Sequence, residues 1–123
     1  MKRGRKIGSG KNYKGVYYIY FKKMKTDAKR RKISFNITIE QIGNLWEKKP
    51  FCAYSNISLI QKISGNDIGF TASLDRIDST KGYQPKNIQW VHKTINKMKS
   101  NMSDFEFKNI IKLIIENGNK NLY

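Results

Sequence analysis

Between residues 74 and 99 stand two carboxylates, Asp75 and Asp78, one guanidinium, Arg76, the asparagine amides Asn87 and Asn96, and the chain's only imidazole, His92. His92 is the one side chain whose ordinary pKa lies near neutrality, so it is the natural candidate for moving a proton. It precedes Asn96 by four residues, with Lys99 a turn further on, so on a helix they share a face. Arg76 stays protonated near neutrality. That bars it from acting as a base and suits its planar fork to clamping a phosphate. Plainer roles stand beside these. His92 can cap a helix or hydrogen-bond in the core, and Asp78 can be a loop acid or a partner of Arg76. Strict alternation along a strand puts Arg76 and Asp78 on one face and Asp75 on the other, so Asp75 and Arg76 serve one site only if the strand end twists or bulges.

The run Leu74-Asp75-Arg76-Ile77-Asp78, then Gly82-Tyr83, Asn87-Ile88-Gln89-Trp90-Val91-His92 and Asn96-Lys97-Met98-Lys99, resembles the strand-loop-strand-helix core of HNH (His-Me finger, ββα-metal) endonucleases, especially their small phage-type members. Several ordered positions at fixed spacing make this a specific match, and the likeness extends over about residues 15–115. The resemblance implies Asp75 as a carboxylate ligand on the first strand, Asn96 as the opposing amide-oxygen ligand on the helix, and Asn87 as the residue that ties the loop. Such oxygen donors suit Mg²⁺, or Mn²⁺, with waters completing the shell. Ser100 falls where some members place a further ligand, but a hydroxyl is a poor substitute. Most members carry the general-base His directly after the acid. Here that position is Arg76, which leaves His92 as the candidate base.

These residues need a hairpin and a helix to bring them together. Thr71–Asp78 and Asn87–Val91 are expected as strands joined by the loop 79–86, and a helix is expected from about His92 to Ser100. Leu74, Ile77, Ile88, Trp90, Val91, Ile95 and Met98 are expected in the core. Upstream, Tyr17, Tyr20, Phe21, Met24 and Ala28 recur at helical spacing from Gly15 onward, with the lysines largely off that stripe. Ile33–Ile37 alternates and is expected to be extended. Thr38-Ile39-Glu40-Gln41 has the form of a capping box opening a helix with the stripe Ile39, Ile42, Leu45 and Trp46, closed by Pro50. The stretch 51–70 reads as short strands or loops. Ser103-Asp104-Phe105-Glu106 is a second capping box, opening a last helix whose Phe107, Ile110, Ile111, Leu113, Ile114 and Ile115 are expected to cover the core.

The charge points to the partner. Lys and Arg number 25 against 9 Asp and Glu, a formal net charge of +16, and thirteen of the basic residues lie within the first 32. So lopsided a surface calls for a polyanion, with duplex DNA as the expected one. Residues 1–14 are expected as a flexible basic arm. Lys22, Lys29, Arg30, Arg31, Lys32, Lys93, Lys97 and Lys99 are the expected phosphate contacts. No segment is long and apolar enough for a membrane span, no secretory signal is apparent, and Cys52 alone permits no internal disulfide, so a cytoplasmic location is expected, and the resemblance to small phage-type members implies a phage-encoded protein.

The expectation is therefore an α+β chain with one HNH-like domain over residues 15–123, a ββα-metal core at about 71–100, flanking helices and a basic N-terminal helix and arm. Its expected activity is metal-dependent hydrolysis of DNA phosphodiester bonds, as a nick if the chain is a monomer. The main rival is a non-catalytic nucleic-acid-binding protein on the same fold that has lost its base. A ribosomal-type RNA-binding protein is allowed by the charge but does not call for Asp75, Asn87 and Asn96.

Overall fold

The computed structural model describes residues 12–61 and 69–120, so all but the end of the expected N-terminal arm lies outside the described residues. The chain enters as a tight hairpin, β1 (Asn12–Tyr13) and β2 (Val16–Tyr17), before helix α1 (Tyr18–Arg30). The basic helix thus begins three residues later than its apolar stripe suggests. The reason is the turn: Lys14 and Gly15 take positive φ, and the indole of Trp46 lies where a Cβ on Gly15 would stand, so only glycine fits. Along α1, Ala28 is buried and Phe21 and Met24 pack against the core, while Lys22, Lys23, Lys25, Lys29 and Arg30 stay exposed. Lys29 and Arg30 fall in its last turn, where positive charge complements the helix dipole.

Residues 33–37 include one parallel bridge, Phe35 to Tyr83, and bury Ile37 in the core. Asn36 N donates to Tyr83 O and Tyr83 N donates to Ser34 O, both at 2.9 Å. Gly82 makes this contact possible, because a Cβ there would overlap the Ser34 side chain and carbonyl. Helix α2 (Ile39–Lys48) opens with a complete capping box: Gln41 N donates to Thr38 Oγ1 and Thr38 N donates to Gln41 Oε1. Its buried Ile39 and Ile42 enter the core, and Trp46 meets Trp90 edge-on with ring centroids 5.4 Å apart. Each such buried aliphatic side chain contributes roughly 1.5–3 kcal/mol.

The centre of the fold is the antiparallel pair β3 (Ala72–Arg76) and β4 (Ile88–His92), in register from Ala72 opposite His92 to Arg76 opposite Ile88. β3 is shorter than the alternation suggests, and β4 has the expected length but begins and ends one residue later. Asp78 and Asn87 lie outside the strands, and the Asn87 side chain bonds to the loop while its backbone carbonyl still accepts from Ile77 N at 3.0 Å. Helix α3 (Lys93–Lys99) follows directly, and α4 (Asp104–Lys120) closes the described chain. Val16, Ile42, Trp90 and Val91 lie at the centre of the core. Met98, expected there, is 52% exposed because α3 turns that face outward.

The last helix departs from expectation more sharply. Its second capping box forms, with Glu106 N donating to Ser103 Oγ and Ser103 N to Glu106 Oε1, but it does not cover the core. Phe107 is buried, whereas Ile110, Leu113, Ile114 and Ile115 are exposed. The helix is seated at its first two turns and runs off the body beyond them.

Candidate functional site

Ser73 and Asp75 alternate onto the face of β3 that receives α3. Asn96 Nδ2 donates to Ser73 Oγ at 2.7 Å, and Lys99 Nζ donates to Asp75 Oδ1 at 3.2 Å. Directly across the sheet, Gln89 Nε2 donates to Asp75 Oδ2 at 2.9 Å. Both carboxylate oxygens are therefore held, and the acid is only 4% exposed. Burial raises its pKa above the usual carboxylate value, while Gln89, Lys99 and Arg76 pull in the opposite direction.

Arg76 projects to the other face. Its Nη1 donates to the carbonyls of Ser79 at 2.8 Å and Lys81 at 2.9 Å, and its guanidinium lies 5.7 Å from the centre of the Tyr83 ring. The loop it holds is tied again by Asn87, which accepts from Asp78 N and donates to the carbonyls of Asp78 and Gly82. Asp78 is a loop acid and not a partner of Arg76. Thr80 donates to it through both backbone and hydroxyl, which holds its pKa below the usual value.

Asp75 and Arg76 nevertheless border one cleft, of about 380 Å³, together with Arg31, Tyr83, Asn96 and Lys97. The ladder needs no bulge for this. The cleft is lined by residues of β3, of α3 and of the segment just after it, and by Arg31 and Tyr83, so consecutive strand residues both border it. Ser100, in a positive-φ conformation at the end of α3, lies on the rim. The cleft continues past Arg31, Tyr83 and Asn96 into grooves bordered by Tyr20, Lys23 and Phe70, and by Lys93 and Lys97. Lys93 Nζ stands 4.3 Å from the Phe70 ring centre. Burial pushes the Tyr20 hydroxyl up to about 12, with Tyr83 and Asp27 adding to the effect, so it stays protonated.

Two sequence expectations meet a different geometry. His92 does not border the cleft: it is the N-cap of α3, its Nδ1 accepting from Thr94 N at 3.1 Å and its backbone N donating to Cys52 Sγ. Being outside the helix, it does not share a helical face with Asn96 in the way the spacing implies. Lys99, expected on phosphate, is fully buried and cannot reach one. Lys22, Lys29, Arg30, Arg31, Lys32 and Lys97 are exposed and Lys93 is partly so. Sequence reasoning missed Tyr83, Tyr20, Phe70 and Gln89. Tyr83 and Gln89 stand in the run that resembles the HNH core, with no role assigned to either, and Tyr20 reads as part of the apolar stripe of the first helix.

Among the described residues no group of three His, Cys, Asp or Glu could hold a metal. The donor chemistry fits a hard cation that needs few protein ligands. Asp75 keeps unused lone pairs on a carboxylate with about four acceptor positions, and Asn96 commits its Nδ2 to Ser73, which leaves its Oδ1 as an acceptor beside the same cleft.

A hairpin that returns directly into a helix, with an acid on the strand and an amide on the helix bordering one cleft, is the ββα architecture. The same fold occurs in the solved structure of PacI, a rare-cutting HNH restriction endonuclease, to which this chain is similar over 93% of each chain with a TM-score of 0.55 and 19% identity. No family model matches the chain, and no curated protein matches it.

Proposed function

We propose that this chain is a metal-dependent DNA endonuclease of the HNH type that nicks duplex DNA. The observation that carries the proposal is the convergence of Asp75 and Asn96 on one cleft whose other charged borders, Arg31, Arg76 and Lys97, are all cationic. The fold shared with an HNH restriction endonuclease adds support. Asp75 and Asn96 would hold Mg²⁺ or Mn²⁺, which when bound polarises a phosphate oxygen and offsets charge developing on the leaving 3′ oxygen. Arg31 and Lys97, both on the border of the cleft, would contact the phosphate. Arg76, with Nη1 spent on two carbonyls, contributes its charge and fixes the loop that Asn87 also ties. The exposed basic face of α1 and the Lys23–Lys93–Lys97 groove then carry the flanking backbone, a contact that salt should weaken steeply.

A second reading is favoured by one specific observation. Neither Arg76 nor the helix-capping His92 places a titrating imidazole in the cleft, as a binding module derived from a nuclease would also show. Incubating supercoiled plasmid with and without Mg²⁺ decides between the two. The proposal expects open-circular product only with metal, and DNA binding without any nicking in Mg²⁺ or Mn²⁺ would establish the binding module instead.

A further inference from the structure

Among the described residues Lys99 is the one lysine that is completely buried. An ammonium so placed needs partners, and it has two from different parts of β3: Asp75 Oδ1 at 3.2 Å and the Arg76 carbonyl at 2.8 Å. Asp75 in turn has Gln89 on its second oxygen, so the carboxylate is held by a residue of α3 and a residue of β4. This is the same carboxylate that borders the cleft beside Asn96.

We propose that Lys99 is a resident counter-cation for Asp75, a positioning residue that keeps the metal-binding carboxylate ordered between turnovers and makes the hold on a divalent ion deliberately weak. The proposal rests on the metal-dependent reading above. The physical argument has two parts. A buried carboxylate without a compensating charge is strongly destabilising, so the site would otherwise be folded only when metal is bound. A fixed positive charge within contact distance of the ligand also repels an incoming cation, which lowers affinity and lets the ion exchange. A lysine that only pins α3 to β3 would satisfy the geometry but would not couple to metal.

The test compares the full-length wild type, Lys99→Met and the double variant Asp75→Asn/Lys99→Met by thermal unfolding in chelator and in millimolar Mn²⁺, with Mn²⁺ affinity measured by titration calorimetry. In chelator, Lys99→Met is expected to melt about ten degrees or more below wild type. Mn²⁺ should restore at least half of that loss and should bind the variant roughly tenfold tighter than wild type. The double variant, with the charge removed from both partners, should fold in chelator and show no response to Mn²⁺. Equal loss of stability with and without Mn²⁺, unchanged or weaker affinity in Lys99→Met, or failure of that variant to fold under either condition overturns the proposal. These outcomes are independent of plasmid cleavage, so a wild type that binds Mn²⁺ but never nicks DNA would sink the nuclease reading while the role of Lys99 is still decided by the melting data.

Discussion

Residues 72–100 bury charge, whereas residues 104–118 expose hydrocarbon. In the first region Lys99 and Asp75 are 0% and 4% exposed, and every polar atom of the pair has a partner. In the second, Ile110, Leu113, Ile114 and Ile115 are 44–59% exposed, and Phe107 is the only buried apolar side chain. Both helices follow a capping residue, His92 for α3 and Ser103 for α4, so local signals start each of them equally well. What separates them is the surface each meets. α3 leaves β4 without a loop and is laid at once on the face of β3, while α4 is fastened only at its base, where Tyr54 OH donates to Asp104 Oδ1 at 2.7 Å and the Tyr54 ring meets Phe107 edge-on. Burial is decided by packing partners, and a residue's polarity does not override them.

The largest effects should come from the buried pair. Asp75→Ala leaves Lys99 buried and uncompensated, and a loss of about 3–5 kcal/mol in denaturant unfolding is expected. In α4, Phe107→Ala should cost about 3 kcal/mol, because it empties the contact with Tyr54, whereas Ile114→Ala should change stability by less than about 0.5 kcal/mol. Equal costs for Phe107 and Ile114 would mean that the second half of α4 is packed in solution and would erase the contrast.

Smaller effects sharpen the same picture. His92→Ala removes a helix cap, so about 1 kcal/mol of stability should be lost while plasmid nicking keeps its pH profile. A rate that falls on the order of a hundredfold would return His92 to the chemistry as a base. Smaller still is the pH term at the base of α4. Burial acts to raise the pKa of Asp104, but hydrogen bonds from Tyr54 and Lys108 outweigh it and hold the group below its ordinary 3.8. A depressed carboxylate stabilises the fold above its unfolded value, and that contribution disappears as pH falls through the lower folded value. Asp104→Asn should therefore narrow the stability gap between neutral and acid pH by a modest amount. Asp75 has the opposite sign, since its raised pKa makes the native state lose stability as pH climbs from 3.8 through the folded value. Urea titrations at several pH values read both slopes.

Much of this was legible in the sequence because it is local. The strand-loop-strand-helix order and both capping boxes follow from patterns among neighbouring residues, and the tie made by Asn87 is implied by the resemblance of the run 74–99 to the HNH core. The placement of Lys99 was not legible, because a lysine one turn past Asn96 reads as a solvated charge unless one knows that β3 presents a buried acid to it. Nor was the exposure of α4, since an apolar stripe shows that a helix can be covered and not what covers it. Tyr83 is also paired with Phe35 and Ser34, some fifty residues upstream, a pairing that no local pattern announces.

The central claim is that Asp75 and Asn96 act on one ion in one cleft, and Asn96→Ala tests it most directly, because Asn96 holds no buried charge whose loss would unfold the protein. Nicking of supercoiled plasmid across a Mg²⁺ titration, with DNA binding followed in parallel, should show wild-type cleavage that requires the metal and a variant that binds DNA as tightly but cleaves on the order of a hundredfold more slowly or not at all. Wild-type rates in Asn96→Ala at every Mg²⁺ concentration would contradict the account.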